Sequence, residues 1–168
     1  MPEASFDLIH TRMVLEHLPA REEALRRLVA ALKPGGWLLI EAIDFVTVVP
    51  DPAMDAAAAL LFMSWETRHL DWMASRGFDH AYGRGIDSRL RAHGLTAVAT
   101  EGRSFTWRGG TAGSRVWRLT VEQLREPMIE AGLATTEDLD RLCALLDDPA
   151  FAAMSPLIMA AWGQRPAS

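Results

Sequence analysis

The chain is poor in cysteine and lysine and has no excess of positive charge. Cys143 is its one cysteine in 168 residues, which excludes an internal disulfide and a cysteine-based zinc site. It sits in the apolar run Leu139, Leu142, Cys143, Leu146, the setting of a small core residue rather than a nucleophile. Lys33 is the one lysine, and 17 basic against 22 acidic residues leave a net charge of −5. That balance argues against the basic face on which non-specific nucleic-acid binding depends. The first residues lack the charged-then-apolar run of a secretory leader. The apolar stretch from Ala56 to Trp65 is too short to span a bilayer and ends at Glu66 and Arg68. A cytoplasmic protein with no nucleic-acid or membrane partner is therefore expected. His69, His80 and His93 lack the His-Glu-x-x-His spacing, so no metal is expected. No Gly-x-Ser-x-Gly nucleophile elbow occurs, and Gly109-Gly110-Thr-Ala-Gly113 lacks the strand-to-helix context of a phosphate cradle.

What is present is a globular composition, 49% hydrophobic and 23% charged, enough to bury a core. Phe6 to His10 reads as a short buried strand. Pro19 and Glu22-Glu23 open a helix with an acidic first turn, continued by Leu25, Leu28, Val29 and Leu32 and stopped by Pro34-Gly35-Gly36. Trp37 to Ile40 is continuously apolar, as in a parallel strand covered on both faces. Two strands joined by a helix make a right-handed βαβ unit. Beyond the Asp51-Pro52 break, a long helix is expected from Ala53 to Ser75 with Met54, Ala58, Leu61, Trp65 and Trp72 on one stripe. Gly85 to His93 reads as another helix, closed by Gly94. Leu95 to Trp107 reads as strand, with a bulge or bend at Gly102. Helices follow from Ser114 to Ala131 and from Thr136 to Leu146, the second with Thr135 and Asp138 as a capping box. Leu157 to Trp162 is a last strand. Nothing divides the chain, so one domain is expected over residues 1–168.

Ser5-Phe-Asp-Leu-Ile-His10, Val14-Leu-Glu-His-Leu-Pro19 and Leu32-Lys-Pro-Gly-Gly-Trp-Leu-Leu-Ile-Glu41 together resemble the middle of class I S-adenosylmethionine-dependent methyltransferases. In that family they are the fourth strand, its cofactor-side loop, the next helix and the fifth strand. The resemblance implies an α/β, Rossmann-like sheet in truncated form, the C-terminal portion of the fold. It would hold a parallel βαβ start, an antiparallel last strand inserted between the fifth and sixth, and a helical lid. The family's glycine-rich cofactor loop, its ribose-binding acid and its adenine-side residue all precede the matched residues. The implied activity is methyl transfer from S-adenosylmethionine to a small apolar molecule. A non-catalytic binding or dimerisation subunit of the same ancestry is the alternative. With strands one to three missing, strand 6–10 would be an exposed apolar edge, fit to pair with a second copy or with a partner supplying the N-terminal half.

In open α/β sheets ligands bind beyond the carboxyl ends of parallel strands. The resemblance puts His10, Thr11, Arg12 and Met13 at the methionine end of the cofactor, with the Arg12 fork suited to its carboxylate. Arg12 reads equally as a surface ion-pair residue. His17 is a candidate general base, or a residue that orders the loop. Asp44 is a second catalytic candidate, or a turn former. Glu41 would reach the same mouth, and Trp65, His69 and Trp72 would contact substrate from the lid, unless they are core. Methyl transfer needs alignment and exclusion of water more than acid–base chemistry, so the lack of a catalytic triad does not count against it.

Overall fold

The structure is a computed structural model that describes residues 2–167. Two compact units emerge where one undivided domain was expected. One comprises the residues up to Thr47, Ala74–Arg103 and those from Pro156 on; the other comprises Val48–Met73 and Ser104–Ser155. The segments of the two units interleave along the chain, so no linker in the sequence marks a boundary.

The first unit is built on a four-stranded sheet of β1 (Phe6–Arg12), β2 (Leu32–Asp44), β4 (Thr96–Arg103) and β7 (Leu157–Gln164), in the order β1-β2-β7-β4. β1 and β2 run parallel, and β7 is antiparallel to both its neighbours. This is the inserted antiparallel last strand that the resemblance implied. Helix α1 (Arg21–Ala31) connects β1 to β2, and the Arg165 guanidinium donates to the Ala30 carbonyl at 3.0 Å and the Leu32 carbonyl at 2.5 Å where α1 ends. Those carbonyls have no partner within the helix, and the guanidinium supplies one. β2 begins earlier than expected, with Pro34-Gly35-Gly36 forming a shift in register between Phe6 and Leu8. Helix α3 (Ile86–Ala92) ends at His93 and Gly94, the latter at φ +79°. Gly102 is not a bulge. It is paired with Met159, and the irregularity in β4 falls between Thr96 and Ala99.

Along β2 the burial alternates. Leu38, Ile40, Ala42 and Asp44 are buried, whereas Trp37, Leu39, Glu41 and Ile43 are half-exposed. The period-2 geometry of a strand sends these two sets to opposite faces. Leu38 and Ile40 join Leu15, Leu25, Tyr82 and Leu90 in the core beneath α1 and α3. The other face is open. Leu8, Trp37, Leu39 and Trp162 line a depression on it of about 470 Å³. The expectation of a strand covered on both faces is thus corrected: one face is covered by this chain's helices, the other is not. β1 is the sheet edge, with Phe6 and Leu8 exposed.

The second unit contains a small sheet, β3 (Val49–Pro50), β6 (Ala152–Met154) and β5 (Thr106–Arg108), in that order. Helices α2 (Ala56–Ala74), α4 (Ala112–Glu130) and α5 (Thr136–Asp147) supply most of its core. Asp55 accepts from the amides of Ala57 and Ala58 and so sets the start of α2, three residues later than expected. The Thr135 hydroxyl accepts from the Asp138 amide at 3.1 Å, the cap read from the sequence. The buried residues of α2 are Phe62, Trp65, Glu66, His69 and Leu70; of the expected stripe, Trp65 is among them and Ala58, Leu61 and Trp72 are not. Cys143 is buried, as a core residue should be, and burial raises its thiol pKa. Among the described residues, no helix is long and apolar enough to cross a membrane.

Candidate functional site

The carboxyl ends of β1 and β2 lie side by side, with Arg12 paired to Glu41 in register. His10, Thr11 and Arg12 belong to β1 itself, so the expected loop begins only at Met13. Alternation then separates them. The Thr11 side chain lines a groove of about 530 Å³ beside α1, with Val14, Leu18, Ala24 and Leu28. His10 belongs to the opposite set and meets Glu41 of the open face, Nε2 to Oε2 at 2.8 Å. The four residues therefore do not line one surface, because neighbouring strand residues point apart. Glu41, expected to bind substrate, is instead engaged by His10. The Thr11 hydroxyl is buried without a hydrogen-bond partner among the described residues, whereas Arg12 is exposed.

Met13 turns the chain at φ +51°, a conformation that costs a non-glycine residue roughly 1 kcal/mol. Its amide donates to the Glu41 carbonyl at 2.8 Å, so the turn is stitched to the end of β2. One turn of 3-10 helix, Leu15–His17, follows and buries Leu15 and Glu16. His17 remains exposed, its ring tilted on Phe78 with centroids 4.8 Å apart. Phe78 in turn meets Phe45 edge-on at 5.5 Å, which joins the turn after β1 to the residue after β2.

Asp44, the other catalytic candidate, is buried and not free. Arg84 Nε and Nη2 approach its two carboxylate oxygens at 2.8 and 2.9 Å, a bidentate pair. Both carboxylate oxygens of Asp44 are thus engaged by Arg84 rather than presented free at the mouth. Gly83 makes the pair attainable: a Cβ there would lie 2.8 Å from the Asp44 amide nitrogen. The guanidinium is half exposed and presents a positive charge at the end of β2.

Sequence reasoning passed over Glu16. Its side chain is 1% exposed and its carboxylate has no hydrogen bond of good geometry. Burial pushes its pKa up, opposed by its own amide, by His17 and by the Ile43 amide. The one available signal was a charged residue flanked by Leu15 and His17 in a short apolar segment.

Trp65, His69 and Trp72 lie in the second unit, on α2. His69 is packed rather than presented, with its ring stacked on Trp65 at 5.1 Å and its Nδ1 donating to the Trp65 carbonyl at 3.0 Å. Burial lowers its pKa to about 4. Glu66 is buried beside it, Oε1 lying 4.0 Å from His69 Nδ1, and burial raises its pKa to about 8. Trp72 is half-buried.

The profile of the methyltransferase domain family matches residues 1–137. The chain belongs to that family. Within this methyltransferase domain, 42 residues are 55% identical to methyltransferase str2 of Strobilurus tenacellus, a match over 25% of the chain and 15% of that protein. The match to methyltransferase str3 of the same fungus is 49% over 45 residues, 16% of its length. The domain thus spans a small part of the curated relatives it matches. In structure it resembles the YcgJ protein of Bacillus subtilis, with TM-score 0.55 and 16% identity over 99% of this chain and 66% of that one. It also resembles a candidate methyltransferase of Bacillus halodurans, with TM-score 0.51 and 14% identity over 99% of this chain and 72% of that one. At such identities these two structures speak to the Rossmann-like fold alone.

Proposed function

We propose that this domain takes part in methyl transfer from S-adenosylmethionine to a small apolar molecule, with the methionine end of the cofactor at the end of β1. The observation that carries the reading is the parallel β1–β2 pair of a family-matched methyltransferase domain, ending in a strained turn beside an exposed guanidinium. Arg12, exposed at the end of β1, fits the cofactor's carboxylate as a planar fork. The bound cofactor supplies an electrophilic methyl group. The protein's part is to align the acceptor and to keep water away.

His17 is the side chain best placed to take a proton from an acceptor. It is exposed at the mouth, and Phe78 fixes its plane. Asp44 acts through Arg84, holding a positive charge there without entering the chemistry. Trp65 and His69 serve the helical unit as packing, stacked on one another and buried. The open β1 edge and the uncovered sheet face are the docking place of either an N-terminal half of the same fold or a second copy of the chain.

Transfer from tritium-labelled S-adenosylmethionine into organic-extractable acceptors tests this reading. Label should appear in the organic phase and fall at least tenfold in Arg12→Glu, which places like charge opposite the cofactor's carboxylate. Equal transfer by the variant would remove Arg12 from the site.

A further inference from the structure

The second unit holds a cleft of about 310 Å³ between α2 and the start of α5. Its size lies at the lower end of the range for small-molecule sites. Its α2 wall is one helix face, with Ala57, Leu60, Leu61, Ser64, Trp65 and Arg68 at spacings of three and four. Leu133, Leu139 and Leu142 form the facing wall. Trp65, Leu139 and Leu142 are almost wholly buried and make the floor. Among the described residues the Trp65 indole N–H has no acceptor. Leu60 is 69% exposed at the rim.

Charge at this rim runs against the chain as a whole. The protein carries −5, yet two guanidinium groups, Arg68 and Arg141, line the cleft beside a single carboxylate, Asp138. Arg68 Nη1 donates to the Leu133 carbonyl at 3.1 Å, which holds the guanidinium over the apolar floor while its other nitrogens remain available. Arg141 reaches Asp138 only at 3.5 Å, a long contact, and is 60% exposed. The mouth therefore has one positive charge in excess, above a floor of leucine and indole.

We infer that this cleft binds a small amphiphilic carboxylate, its hydrocarbon part on Trp65, Leu139 and Leu142 and its anionic head between Arg68 and Arg141. The apolar floor gives affinity without selectivity, and the guanidinium pair chooses an anion over an alcohol or an amine. The inference concerns the helical unit alone and stands whether or not the domain transfers methyl groups.

Calorimetric titration of the intact protein with octanoate, octanol and octylamine tests it. Octanoate should bind roughly tenfold more tightly than octanol, as expected for two partly exposed charge-assisted contacts. Octylamine should bind more weakly than octanol. Arg68→Gln with Arg141→Gln should abolish the preference for octanoate and leave octanol unchanged. Leu8→Gln, on the open sheet face of the first unit, should leave the octanoate affinity unchanged. Equal affinity for octanoate and octanol, no binding of octanoate, an unaltered preference in the double variant, or loss of binding in Leu8→Gln would each overturn the inference. Circular dichroism of the variants, whose changed side chains are all exposed, confirms that they fold.

Discussion

Replacing Glu66 by glutamine should change how stability depends on pH in a defined window. Glu66 is almost completely buried, and its carboxyl pKa is raised from 4.5 to about 8. The folded state therefore binds a proton that the unfolded state has released once pH exceeds 4.5. Stability then falls as pH rises through 4.5 to 8, with a limiting slope of about 1.4 kcal/mol per pH unit for one proton. His69, 4.0 Å away, acts in the opposite sense. Its pKa is lowered from 6.5 to about 4, so below pH 6.5 the unfolded state binds the extra proton and stability rises with pH. The two slopes offset each other between about pH 4.5 and 6.5. Above 6.5 the His69 contribution is complete and Glu66 acts alone. Over the 1.5 pH units from 6.5 to 8 the wild type should lose about 2 kcal/mol from this one group. A glutamine amide has no proton to lose, so Glu66→Gln should be flat in that window and should still gain stability between pH 4 and 6.5 from His69. Urea unfolding followed by tryptophan fluorescence at half-unit pH steps reads both curves, and the difference between them cancels every other titrating group. Parallel curves from pH 6.5 to 8 would show that Glu66 is ionised and solvated in the folded protein, and the reasoning would fail.

Further outcomes follow from the same geometry. Asp44→Ala removes the buried half of a bidentate pair and should cost about 1–3 kcal/mol, kept modest because Arg84 can reach solvent; a loss below 0.5 kcal/mol in urea unfolding, itself within the usual ~0.5 kcal/mol for surface substitutions, would mean that the pair is not formed. Leu8→Lys places a charge on the sheet edge and should shift the protein toward a smaller species in sedimentation velocity if that edge associates; an unchanged distribution would locate any self-association elsewhere.

Much of the first unit was legible because its signals are local. The acidic first turn and leucine spacing of α1, and in the second unit the Thr135–Asp138 cap, each lie within a few residues. The strand order required the family resemblance, since no local signal tells β7 to insert between β2 and β4. Less could be read where burial depends on what lies above a surface. Trp37-Leu-Leu-Ile40 is apolar at every position, so periodicity could not show that one face is open. At the site, Asp44 looked like a free base because Arg84, 40 residues away, is invisible as its partner. His10 and Thr11 looked like neighbours on one surface, and only the extension of β1 through Arg12 shows that they point apart. Glu66 stood out only as the end of an apolar stretch and His69 only as a lid residue, and the helix pattern alone does not show that both are buried.

The central claim is that the carboxyl end of β1 receives the methionine end of S-adenosylmethionine. Titration of the ¹⁵N-labelled protein with S-adenosylhomocysteine, followed by amide chemical shifts, tests it most directly. The account predicts that the largest shifts fall at Arg12, Met13 and Val14, and that Arg12→Gln weakens the binding about tenfold. Binding that leaves those amides unmoved, or no binding at millimolar ligand, would contradict it.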